Sequence, residues 1–309
     1  MGKRTSGRNV HGIILLDKRL GVSSNRALQE VRRLFNANKA GHTGALDPLA
    51  SGLLPLCFGE ATKVSALMLD DDKRYQVTVQ LGVMTDTGDA EGVVIATKPV
   101  PALTLVELET CLQAFTGAID QVPPMYSALK HNGKKLYELA REGITVERKA
   151  RHIHIYELHL LAFSENQLIL EVACSKGTYI RSLAEDIGDA LGTRGTVTAL
   201  RRLKAGRFSI ADAYTIEQLS DMDEQTLNTA LLAVDVPLQD IPAVQLTEQQ
   251  AIAIRYGQTI NHENPSLGTV RLYHDAAFLG LGETLLDAKI APKKLFNMNN
   301  EQHPAIAGS

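Results

Sequence analysis

The sequence predicts an α+β fold: a mixed, mainly antiparallel sheet flanked by helices, followed by a small β-rich domain. Three observations carry this expectation. Helical and strand-like patterns interleave, but hairpin-like neighbours dominate, which disfavours a parallel doubly wound sheet. Residues 73–81 alternate cleanly, with Tyr75, Val77, Val79 and Leu81 on one face and Arg74, Gln76, Thr78 and Gln80 on the other. Short β-like runs cluster near the C-terminus at 269–273, 277–281 and 289–295.

Taken in order, residues 11–17 (HGIILLD) form an apolar run that reads as a buried strand. A loop turning at Gly21 follows. Ser23 or Ser24 then caps a helix in which Leu28, Val31, Leu34 and Phe35 fall at helical spacing. Residues 39–54 hold Gly41, Gly44, Pro48 and Gly52 with no clean period, so an ordered loop is expected. Helical spacing returns over 60–69. Residues 85–92 (TDTGDAEG) read as a polar turn, and Thr104 caps a helix running to about residue 115. A Pro pair, Gly133 and a basic middle mark a loop-helix insertion over about 121–150. Residues 151–163 and 168–175 read as paired strands, 179–191 as a helix and 196–210 as extended chain. A boundary near 237–242 divides a large domain, 1–240, from a small one, 241–296, which begins with a short helix at 248–256. Residues 297–309 read as a disordered tail.

Composition narrows the class. With 44% hydrophobic and 22% charged residues, wholesale disorder and a fibrous repeat are excluded. No apolar run is long enough to span a bilayer. Lys3, Arg4 and Arg8 precede no long apolar run, so no secretory signal is expected and a cytoplasmic location is. Cys57, Cys111 and Cys174 lie far apart, which argues against a disulfide framework and a structural zinc site. The net charge is only -3, but its distribution is uneven. Basic residues concentrate in 1–40, 130–151 and 194–207, whereas 211–250 contains no Lys or Arg. A basic face for nucleic acid and scattered solvated charge are both consistent with this.

Dinucleotide, P-loop, zincin and nucleophile-elbow motifs are absent. His152 and His154 alternate on a strand, which suits either a metal pair or two surface residues. The informative segment is 41–56, GHTGALDPLASGLLPL, in which Asp47 sits in a Gly-rich loop. Taken alone, Asp47-Pro48 reads as a turn.

That segment resembles the catalytic motif of the bacterial tRNA pseudouridine-55 synthases, the TruB family of pseudouridine synthases. Other segments resemble the family in the same order: HGIILLDKRLGVSS at 11–24, GEATK at 59–63, KRYQVTVQLGVMTDTGD at 73–89, VPPMYSALKHNGKKLYELARE at 122–142, CSKGTYIRSL at 174–183 and LRRLKAGRF at 200–208. The resemblance is strong over about 11–210 and weak beyond.

It implies a pseudouridine synthase fold with a small C-terminal barrel-like domain of the PUA type. It also implies isomerisation of uridine 55 in the tRNA T-loop by base flipping, with no cofactor and no metal. Asp47 matches the catalytic aspartate, which attacks C1′ of the sugar or C6 of the base. Tyr75 matches the tyrosine that stacks on the target base and helps remove its proton; by itself it reads as a core aromatic. Arg181 matches the arginine that pairs with the carboxylate; by itself it reads as a helix-face charge. His42 matches the histidine that fills the space of the flipped nucleotide. Tyr179, Lys63 and Lys18 match supporting, substrate-binding positions, although packing or surface charge explains each nearly as well.

Arg19 stands where the family's opening motif has proline, a change that touches loop rigidity and no catalytic group. The C-terminal glycine-rich signature is visible only at Arg255-Tyr256-Gly257 and 280–282. No membrane and no obligate protein partner is implied, and nothing demands more than a monomer. Two other functions compete: an RNA-binding or RNA-folding factor, motivated by the basic stretches, and a metal-dependent hydrolase using scattered His and Asp residues.

Overall fold

A nine-stranded sheet organises the computed structural model, which describes residues 7–263 and 266–298. Its main path runs Gly12–Lys18, Ala50–Phe58, Gly195–Ala205, Lys73–Leu81, Gln167–Cys174, Arg151–Ser164, Gly117–Gln121. Short strands Ala40–His42 and Phe208–Ser209 pair off this path. Within the sheet only Gly195–Ala205 against Ala50–Phe58 is parallel. The architecture is thus the expected mixed, mainly antiparallel sheet with helices.

The first strand shows why its sequence reads as a continuous apolar run. Ile14 and Leu16 face a core that includes Leu28 and Val31 of helix Ser24–Leu34, whereas Ile13 and Leu15 face an opposite core. Ala50–Phe58 divides in the same way: Leu54, Leu56 and Phe58 point to one core, Leu53 and Cys57 to the other. A strand buried on both faces has no polar alternation to display. That corrects the loop expected over 39–54: residues 50–54 are strand, and 40–42 form a short strand beside it.

Local signals act where they are expected. Ser23 caps helix Ser24–Leu34, its Oγ accepting from Arg26 N at 3.2 Å. Thr104 and Glu107 form a reciprocal capping box on helix Leu105–Ala114. That helix and Ile180–Ala190 cover a third core against the Lys73–Leu81, Gln167–Cys174 and Arg151–Ser164 strands. The insertion forms a small hairpin, Lys130–His131 with Lys134–Lys135, then the short helix Leu136–Arg141.

The C-terminal region curls a five-stranded sheet into a half-barrel: Ala243–Gln245, Thr269–His274, Ala277–Thr284, Lys289–Leu295, Ile260–Asn261. It does not stand apart. Phe278, Leu281 and Phe296 share a core with Ile13, Leu53 and Cys57 of the large sheet. Lys63 Nζ donates to Leu295 O at 2.8 Å, and Glu60 accepts from Asn297 N at 2.8 Å. The tail expected over 297–309 lies, from residue 299 on, outside the described residues. No described helix is long and apolar enough to cross a membrane.

Candidate active site

A cavity of about 750 Å³ opens between two of these cores, where Tyr75 and Leu200 pack against both. Asp47 reaches its wall on a loop held from several sides. Ser24 Oγ donates to Leu46 O at 2.9 Å and accepts from Leu46 N at 2.7 Å, so the helix start is latched to the residue before the carboxylate. Beyond it, Gly21 N donates to Pro48 O at 2.8 Å and Ala50 N to Asp47 O at 3.0 Å.

From beneath, Arg202 donates from Nη2 to Gly44 O at 2.9 Å and from Nε to Leu53 O at 2.7 Å. Arg202 is buried and pairs across the strands with Gly52 on one side and Tyr75 on the other. Gly52 is required there: its φ is +99°, and a Cβ would stand 2.4 Å from Arg202 O. Loops fixed on this many sides hold a reacting group without further ordering cost.

Arg181 is the cation beside Asp47. One nitrogen, Nη2, stands 3.1 Å from Asp47 Oδ2 and donates to Tyr126 O at 2.8 Å. Nη1 stands 3.4 Å from Asp89 Oδ2 and donates to Thr87 O at 3.0 Å. Asp89 is itself fixed, its Oδ1 accepting from Thr87 Oγ1 at 2.7 Å and Glu91 N at 3.1 Å. One largely enclosed guanidinium therefore joins a buried carboxylate to an accessible one, which orients Asp47.

Tyr75 lies on this floor. Burial raises its hydroxyl pKa, with the nearby Arg202 charge acting in the opposite direction. His42, on the strand Ala40–His42, has its pKa lowered by burial and then by Arg202, so its imidazole is neutral at pH 7. Its Nδ1 has no hydrogen-bond partner among the described residues. Tyr179 stands at the N-cap position of helix Ile180–Ala190 with its backbone clamped by Gln121: Oε1 accepts from Tyr179 N at 2.8 Å and Nε2 donates to Tyr179 O at 3.0 Å.

The structure thus brings Asp47, Tyr75, Arg181, His42 and Tyr179 to one cavity. Two other candidates lie elsewhere. Lys18 is buried, its Nζ donating to Val22 O at 2.6 Å and Arg19 O at 3.0 Å. Burial pushes its pKa down to about 8, while the Asp47 charge works to raise it. Lys63 sits at the contact with the half-barrel, paired with Glu60 and 5.3 Å from the Phe296 ring centroid. Arg19, in place of the motif proline, pairs with Glu30 of the first helix at 2.9 Å and so ties its loop down by another route.

Sequence reasoning missed Asp89 and Gln121. Asp89 falls at the end of a segment that carries the resemblance, but an Asp in a Thr-Gly-Asp turn reads as a turn former. The polar insertion does contribute to the wall, through Tyr137 and Arg141 of helix Leu136–Arg141. His152 pairs with Asp120 and His154 packs on Tyr156, and no group of three potential ligands with metal-holding geometry occurs among the described residues.

Comparison with known proteins decides the family. The TruB family pseudouridylate synthase N-terminal domain matches residues 32–180. The tRNA pseudouridylate synthase B C-terminal domain matches 181–239, and the pseudouridine synthase II TruB C-terminal domain matches 242–296. The chain belongs to the TruB family of pseudouridylate synthases. It is therefore an isomerase.

The chain is 51% identical to tRNA pseudouridine synthase B of Chromohalobacter salexigens, over 96% of this chain and 98% of that one. It is 45% identical to the protein of that name from Vibrio parahaemolyticus, over 98% and 100%. The fold is shared with the crystal structure of a Cbf5-Nop10-Gar1 complex, at a TM-score of 0.71 and 23% identity, covering 93% of this chain and 85% of that one.

Proposed function

We propose that this TruB-family chain isomerises uridine 55 to pseudouridine in the T-loop of tRNA, with Asp47 as the catalytic carboxylate and without a cofactor. The observation that carries the reading is the Asp47–Arg181 pair in a cavity floored by Tyr75. The names of the close relatives, tRNA pseudouridine synthases, supply the substrate class.

The chemistry follows from the groups. The target uridine leaves its stack to enter the cavity. An Asp47 oxygen adds to C1′ or C6, and the N1–C1′ bond breaks. The uracil turns while enclosed, C5 bonds to C1′, and the C5 hydrogen leaves as a proton as the Asp47 ester or adduct is released. Arg181 keeps Asp47 aimed. Tyr75 stacks on the base. Because burial holds its hydroxyl protonated at neutral pH, it serves the departing proton as a relay, taking one proton as it passes on another.

His42, neutral and with an unpaired ring nitrogen, suits the space left by the flipped nucleotide. Arg141 lines the cavity and the basic hairpin precedes its helix in the chain, which supplies cations for an RNA loop. A T-arm has folded shape and phosphates to offer them, more than base sequence.

Carbodiimide treatment followed by primer extension on unmodified tRNA transcripts tests this reading. The expected result is one new stop, at position 55, after incubation with the protein. No stop, or a stop elsewhere, overturns it.

A further inference from the structure

Ser127 is 5% exposed and lines the same cavity as Asp47. Its backbone is satisfied: its N–H donates to Met125 O at 2.9 Å, and its carbonyl accepts from Tyr137 N at 3.1 Å. Its hydroxyl is buried and has no hydrogen-bond partner among the described residues. Leaving a buried polar group unpaired costs about 1–3 kcal/mol, and native structures hold few such groups without a reason. The residue borders the cavity, so a hydroxyl turned about χ1 would meet what the cavity binds.

Position narrows the choice. Arg181 Nη2 is shared by Asp47 Oδ2 and the carbonyl of Tyr126, the residue next to Ser127. A nucleotide whose C1′ or C6 stands against Asp47 therefore has its ribose beside this segment. Phosphates are better served by Arg141, an exposed cation at the cavity that joins no ion pair among the described residues. A buried neutral hydroxyl offers a phosphate little compensation for lost water, but it matches another hydroxyl both as donor and as acceptor.

We propose that Ser127 binds the ribose 2′-hydroxyl of the reacting nucleotide, so that the cavity tells RNA from DNA at the target position. This rests on the reading that the cavity takes a uridine nucleotide.

The test uses T-arm hairpins carrying uridine or 2′-deoxyuridine at the target position. Affinity is read in an Asp47→Asn background, in which neither RNA turns over. That background should prefer the ribose hairpin by roughly 2- to 13-fold, the worth of one hydrogen bond. Adding Ser127→Ala should weaken the ribose hairpin by this factor and leave the deoxyribose hairpin unchanged.

An equal loss on both hairpins assigns the hydroxyl to another group and overturns the proposal, as does no loss on either. Matching thermal unfolding midpoints check that the variant is folded. Pseudouridine formation by the wild-type chain on the ribose hairpin is scored separately. Its absence sinks the proposed function, whereas an unaltered affinity ratio sinks only the role of Ser127.

Discussion

Replacing Arg181 by Met separates the two carboxylates that share it. The Arg181 side chain is 11% exposed, that of Asp89 is 5% and that of Asp47 is 54%. At the observed 3.4 Å, the Asp89 attraction is about 5 kcal/mol gross for an effective dielectric near 20. Removing one partner of a buried pair costs about 3–5 kcal/mol net, because the other charge stays behind. The exposed Asp47 is screened by water and contributes about 0–1 kcal/mol.

Arg181→Met should therefore lower the unfolding free energy by about 3–5 kcal/mol, nearly all of it through Asp89. Adding Asp89→Asn removes the stranded charge yet keeps an acceptor for Thr87 Oγ1 and Glu91 N. It should restore at least half of the lost stability. Activity should stay lost, since Asp47 still lacks its cation. Urea unfolding midpoints and pseudouridine formation on tRNA, measured on both variants, separate the two effects. If Asp89→Asn restores no stability in the Arg181→Met background, Asp89 is not the stranded charge and the reasoning fails.

Tyr75→Phe keeps the packing at the seam of two cores and loses a desolvated hydroxyl with its interaction with Arg202. Unfolding free energy should change by less than about 1 kcal/mol while single-turnover rate falls at least tenfold; an undiminished rate removes the hydroxyl from the chemistry. Gly52→Ala meets both a φ of +99° and the Arg202 carbonyl, so urea unfolding should show a loss of about 2–6 kcal/mol. A near-neutral result would mean that the strand can yield there.

Lys18 provides a pH signature. Its folded pKa, about 8, lies below its ordinary 10.5, so the unfolded chain binds the extra proton between those values and stability is gained as pH rises through that window. The stability of the wild type relative to Lys18→Met should increase from pH 8 to pH 10.5; a flat difference contradicts the buried cation.

Much of the fold is visible in local pattern. The alternation at 73–81 is the strand Lys73–Leu81, and the capped spacing after Ser23 is the helix Ser24–Leu34. Ala50–Phe58 escaped because Gly52 and the Gly- and Pro-bearing run before it read as loop punctuation, whereas Gly12–Lys18, also buried on both faces, shows an uninterrupted apolar run. At the site, Asp47, Tyr75 and Arg181 stood out only through several ordered motifs, since a turn, a core ring and a helix charge explain them singly. Asp89, Gln121 and Ser127 acquire their character from burial and from partners distant in sequence, which composition cannot display. Lys63 makes the same point in reverse: its carbonyl partner, Leu295, is 232 residues away, so its motif gives no sign that the half-barrel docks there.

The central claim is that Asp47 carries out uridine isomerisation. Tritium release from tRNA transcripts labelled at uracil C5 tests it most directly, because C5 loses its hydrogen when it becomes the glycosidic carbon. Wild type should release tritium in proportion to the target uridine, while Asp47→Ala should release none yet still bind the RNA. Release by Asp47→Ala at the wild-type rate would contradict the account, and so would silence from both proteins with tRNA bound.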